Sequence, residues 1–140
     1  MKQTAETSKT VERLRGAGLR PTRQRVALAD LLFKNGEDHH VTAESLHEEA
    51  LSTGARVSLA TVYNTLHQFT HAGLLREISV DSGKTYFDTN ISDHHHFYDE
   101  AGSLLIDIPA DRLPLDSLPH TPEGTEVDRI DVVIRLKRRS

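Results

Sequence analysis

The chain of 140 residues contains no cysteine and no tryptophan. That excludes a disulfide scaffold, a thiolate zinc site, an iron–sulfur cluster and a cysteine nucleophile. Aromatic residues are scarce, and no apolar run approaches the ~20 residues of a membrane span. The first ten residues are polar and do not read as a secretory leader. A soluble cytoplasmic protein without membrane association is the expectation. What the chain has in quantity is histidine, nine in all. With no thiolate beside them, those imidazoles are either surface groups or the donors of an imidazole–carboxylate site.

The net charge of −4 hides an uneven distribution. Residues 1–35 hold eight basic groups against three acids, a balance of +5. Residues 87–140 hold six basic groups against eleven acids, a balance of −5. A basic head of this kind is either a solvated face or an electrostatic footprint for a polyanion.

Periodicity divides the chain in the same way. Helices are expected at residues 9–15, at 23–34 behind a Thr22 cap, after Thr42 with Leu46, Ala50 and Leu51 inward, and at 59–72 behind Ser58. In the last of these, Leu59, Val62, Leu66 and Phe69 form the apolar stripe. A hairpin follows, with runs at 75–80 and 85–88 joined through Asp81, Ser82 and Gly83. Further strands are expected at 94–98, 104–108 and 127–136. Four of the five prolines fall within 109–124, which leaves little room for regular helix there. A strand unit of ~50 residues buries little of its own surface, so pairing with a second chain is expected.

Helices followed by a two-stranded hairpin give the order of a winged helix-turn-helix, whose last helix enters the major groove. The polar side of that helix offers Ser58, Thr61, Asn64, Thr65 and Gln68, with Tyr63 beside the apolar stripe. An amide at Asn64 suits an adenine edge, and the Tyr63 ring suits a thymine methyl. Arg20, Arg23 and Arg25 precede and open the second helix, and Arg76 and Lys84 lie on the hairpin. All are placed to meet phosphates or a narrow minor groove.

The triplet His94-His95-His96 is the sharpest local feature. On a strand, His94 and His96 share one face and His95 takes the other. Such a triplet serves two environments better than it chelates one ion. Asp88, Asp93, Asp99, Glu100 and Asp107 supply carboxylates, and His39 and His40 stand before the third helix. Imidazole and carboxylate together suit manganese, iron or zinc, and imidazole is also an axial ligand of haem. A solvated His-rich loop is the other reading of the same residues.

The segments GLRPTRQR, HHVTAESLHEEA, VSLATVYNTLHQFTHAGLL, GKTYFD and HHHFYDEAG resemble the ferric uptake regulator family in order and spacing. The resemblance runs from about Lys9 to Ile108. It implies an α+β chain with a winged-helix DNA-binding domain at 1–90 and a small α/β dimerisation and effector-binding domain at 91–140. It implies base reading by Tyr63 and Asn64, a minor-groove contact by Arg20 and a phosphate contact by Arg25. It also implies metal ligation by His40, Asp88 and His95, with Asp93 where the family usually has another histidine and Asp107 one position from the usual carboxylate. Both cysteines of the family's structural zinc motif, which would span Tyr98 to Ala101, are missing. That loss, together with the triplet, is similar to the iron response regulator branch, in which haem is the effector and His94, His95 and His96 are the implied haem and metal site.

The expectation is a homodimeric regulator, mainly a repressor and not an enzyme, that binds an AT-rich inverted repeat of double-stranded DNA under control of haem or a divalent metal. The alternatives are a manganese- or iron(II)-co-repressed regulator indifferent to haem, and a His-rich carrier without specific DNA binding.

Overall fold

The computed structural model describes residues 2–81 and 83–139. They divide into two compact units, residues 1–91 and 92–140. The architecture is of the expected α+β class.

The first unit holds α1 (Lys2–Gly16), α2 (Arg23–Phe33), α3 (Ala43–Ser52) and α4 (Leu59–His71). Local chemistry sets three of the four helix starts. Thr22 caps α2 by accepting from the Arg25 N–H, and Ser58 caps α4 by accepting from the Thr61 N–H. Thr42 and Ser45 form a reciprocal capping box at α3. An N-cap hydroxyl satisfies backbone donors that the helix itself leaves unpaired. Thr42→Ala is therefore expected to destabilise the protein by about 1 kcal/mol, read as a lower midpoint in urea. An unchanged midpoint would show that the box carries no net stability.

Helix α4 ends in a Schellman turn. Gly73 sits at φ +83°, while Leu74 N–H reaches Phe69 O at 2.9 Å and Gly73 N–H reaches Thr70 O at 3.1 Å. The positive φ is what requires glycine there. The turn aims the chain into the hairpin of β2 (Arg76–Asp81) and β3 (Lys84–Asp88). Ser82, part of the expected hairpin turn, lies outside the described residues. A third strand, β1 (His40–Val41), pairs antiparallel with β3, giving the order β1-β3-β2. The core beneath gathers Leu14, Leu28, Leu32 and Leu46 with the α4 stripe of Val62, Leu66 and Phe69, each 1% exposed or less. Burying a side chain of this size contributes about 1.5–3 kcal/mol.

The second unit is a three-stranded sheet in the order β5-β4-β6. Strand β4 (His94–Asp99) is central, antiparallel to β5 (Leu104–Pro109) and parallel to β6 (Val133–Leu136). Strand neighbours satisfy its backbone on both edges, and all three histidines of the triplet are buried. After β5 there is a 3-10 turn at Ala110–Arg112, and no α-helix forms among the described residues that follow. The prolines account for this.

Several details differ from the sequence reading. Helix α1 begins at Lys2, well before residue 9. The last strand is four residues long instead of ten, and Val127 is exposed. Leu51, read as inward, is half exposed because it lies one position beyond the buried Ala50. Thr65 is buried between Val62 and Leu66 on the helix stripe and does not belong to the polar face. Arg76 is 5% exposed at the start of β2, so it is not a surface contact of the wing.

Candidate metal and nucleic-acid sites

In the first unit, sheet register brings His40 to Asp88. They are directly opposed across β1 and β3, and His40 Nε2 lies 3.2 Å from Asp88 Oδ2. Asp88 has no solvent exposure, and its other oxygen accepts from the Asn90 N–H at 2.9 Å. The backbone of the same corner is closed by His39, whose N–H donates to Thr89 Oγ1 at 2.8 Å. A buried carboxylate needs hydrogen bonds or a cation to offset its desolvation.

In the second unit, register again makes the pair. Asp107 on β5 stands opposite His96 on β4, and His94 lies two residues along on the same face. Asp107 Oδ1 is 3.2 Å from His96 Nε2 and 3.4 Å from His94 Nε2. The two rings meet edge to face with centroids 4.5 Å apart. His94 Nδ1 lies 2.6 Å from the Ser92 carbonyl. A carbonyl only accepts, so Nδ1 carries the proton and the neutral ring has its lone pair on Nε2. That lone pair faces a carboxylate oxygen. Two electron-rich atoms so placed call for a cation between them, either a proton or a metal ion. A ligating histidine that donates its other N–H to a backbone carbonyl is the usual arrangement around metals. The donor set of two buried imidazoles and a carboxylate therefore fits a divalent ion.

His95 is turned the other way, as the alternation of a strand requires. The Val132 N–H donates to its Nδ1 at 3.0 Å. This places the proton of the neutral ring on Nε2, which then has no lone pair to offer. Ligation by His95, which the resemblance implies, requires that hydrogen bond to break, whichever ring nitrogen is used. Asp107 is grouped with His94 and His96, not with His95. Asp93 is exposed in the turn before β4.

The polar face of α4 presents Tyr63, Asn64, His67 and Gln68 to solvent. Ser58 and Thr61 are occupied with the cap, Ser58 Oγ donating to Thr61 Oγ1 at 3.0 Å. Arg25 braces the face from α2. Its guanidinium donates twice to Gln68 Oε1, at 3.2 and 3.0 Å, and once to the Arg20 carbonyl at 2.9 Å. The link ties α2 to the exposed side of α4. Arg20 itself is exposed, and Lys84 opens β3. Tyr63 donates its phenol proton to Glu44 Oε1 at 2.8 Å. That hydrogen bond raises the Tyr63 pKa above its ordinary value, with smaller contributions from desolvation and the Glu44 charge, so the phenol stays protonated at neutral pH. The sequence marked Glu44 as part of the start of α3 and gave it no role at a site. Its only signal was an acid in the first turn of α3.

A model of the ferric uptake regulator family matches residues 16–123. The ferric uptake regulation protein of Shigella flexneri is 37% identical over 83 residues, 59% of this chain and 55% of its own length. That of Neisseria gonorrhoeae is 32% identical over 90 residues, 64% of this chain and 62% of its own. The matches thus span little more than half the length of these curated relatives. Among solved structures, the ferric uptake regulator of Pseudomonas aeruginosa with manganese superposes with a TM-score of 0.69 at 24% identity, covering 94% of this chain and 98% of that one. The regulator of Vibrio cholerae gives 0.71 at 22% identity, covering 91% and 98%.

Proposed function

Because the chain belongs to the ferric uptake regulator family, we propose that it is a transcriptional regulator whose binding to double-stranded DNA responds to a divalent metal. The observation that carries the metal response is the Asp107 carboxylate between the Nε2 atoms of His94 and His96, with His94 oriented by the Ser92 carbonyl. His40 and Asp88 form a second donor pair. When bound, a manganese, iron(II) or zinc ion supplies positive charge and fixed geometry to these groups. The family resemblance and the manganese in the Pseudomonas aeruginosa structure support that choice of ions.

The reading surface is the exposed side of α4, with Tyr63 and Asn64 toward base edges and Arg20 and Lys84 toward the backbone. Thr61 and Ser58 act there through the helix start, where backbone N–H groups suit a phosphate. The regulator works as a homodimer on an AT-rich inverted repeat. Leu104 and Ile106 on β5 and Leu136 on β6 are 39–53% exposed, an apolar area that a second copy of the sheet would cover. Regulation, not catalysis, is the activity. Among the described residues no helix is long and apolar enough to cross a membrane.

Haem control of the iron response regulator type is the narrower reading, favoured by the triplet itself. It requires His94 and His96 to turn from Asp107, or His95 to release Val132. A DNA-binding isotherm on one AT-rich palindrome, measured metal-free, with Mn²⁺ and with haemin, tests both. The expected outcome is tighter binding with Mn²⁺. Equal affinity in all three conditions would sink metal and haem control together.

A further inference from the structure

We propose that Glu44 is a specificity-determining residue of the DNA-reading surface, acting by orienting the Tyr63 phenol so that it meets base edges as a hydrogen-bond acceptor only. The proposal rests on the assignment of α4 as the reading helix. Thr42, Glu44, Tyr63, Gly83, Lys84 and Thr85 line one groove of the first unit, bounded by the start of α3, the exposed side of α4 and the hairpin. Within it Tyr63 is 37% exposed and Glu44 is exposed as well.

A phenol has one proton to give, and Tyr63 gives it to Glu44 Oε1 at 2.8 Å. What remains toward solvent is the lone-pair side of the phenol oxygen, next to a carboxylate that also only accepts. Major-groove edges divide on the same chemistry. Adenine N6 and cytosine N4 donate, whereas guanine O6 and N7 and thymine O4 accept. An acceptor-only pair favours an amino-bearing base and leaves guanine or thymine with unpaired oxygens facing oxygens. The placement of Glu44 supports a fixed role. It lies in the first turn of α3, where the helix dipole stabilises a carboxylate and the Thr42–Ser45 capping box holds the turn. A negative group on a surface that approaches phosphates weakens binding to every duplex. Its presence there is accounted for by selectivity, through rejection of the wrong edge.

The test is selection from a pool of random duplexes by the full chain with Mn²⁺, as wild type, Glu44→Ala, Tyr63→Phe and the double variant. The wild type is expected to enrich an operator in which one position per half-site prefers an amino-bearing base by about tenfold. Glu44→Ala frees the phenol proton, so that preference should fall to within about twofold while affinity for all duplexes rises. In the Tyr63→Phe background, removing Glu44 should change base preference no further. A Glu44→Ala protein that keeps the wild-type preference at every position overturns the proposal, whatever its melting temperature. A Glu44→Ala effect that persists undiminished with Tyr63→Phe overturns the route through Tyr63. No enrichment by the wild type overturns the DNA-reading premise, and this proposal with it.

Discussion

Asp107→Ala is expected to weaken manganese binding by more than about 100-fold, since deleting a group that merely orients a ligand already costs 10–100-fold. Asp107 supplies the one carboxylate oxygen shared by His94 and His96. Without it the set of His94 and His96 loses its carboxylate, the donor that offsets the charge of a hard divalent ion. Asp107→Asn keeps the shape but not the charge, so it should fall nearly as far. Ser92 meets His94 Nδ1 through its backbone carbonyl, which a side-chain substitution does not remove. His95→Ala is the informative control, because His95 takes its hydrogen bond from Val132 on the opposite face. It should leave manganese affinity within about tenfold. Competition against a chelating dye reads all three variants. Manganese affinity unchanged in Asp107→Ala, or lost equally in His95→Ala, would remove the assignment of His94, His96 and Asp107 as the ligand set.

The contrast between these residues shows what a linear sequence can reveal. The caps Thr22, Thr42 and Ser58 act within one helical turn and the α4 stripe repeats every three or four residues, so spacing alone placed them. The alternation of His94 and His96 against His95 is equally local. The grouping of Asp107 with His94 and His96 is not, because it depends on the register between β4 and β5. A shift of one residue would have turned Asp107 to the other face. Strand β1 is two residues long and has no period to detect, yet it sets His40 opposite Asp88. Thr65 and Arg76 misled for a related reason. Each is polar by type but sits at a position whose neighbours, Leu66 and Leu75, are core. Burial is decided by the packed surroundings, and a polar label does not override them. The same holds for Glu44, whose partner Tyr63 is nineteen residues away on a different helix.

Helix α4 has a buried stripe and an exposed side, so paired substitutions should separate stability from the DNA reading proposed for the exposed side. Phe69 has no solvent exposure and packs with Leu66 and Val62. Phe69→Ala is expected to cost about 3–5 kcal/mol, from lost transfer energy and the cavity left behind. In a unit of this size that corresponds to a fall in melting temperature of at least about 12 °C. Total stability of a domain is only about 5–15 kcal/mol. Much of the protein would therefore unfold near physiological temperature, and DNA binding would fall with the folded fraction. Tyr63→Ala lies on the same helix but on the exposed side. Its stability change should stay within about 1 kcal/mol, the scale of the single hydrogen bond to Glu44. Its operator affinity should fall even in protein that is fully folded. Thermal melts and binding isotherms on the same samples distinguish the cases. If Tyr63→Ala lost binding only in step with unfolding, the exposed side of α4 would be scaffold and not a reading surface. If Phe69→Ala melted with the wild type, the core would be relaxing around the cavity far more than close packing permits.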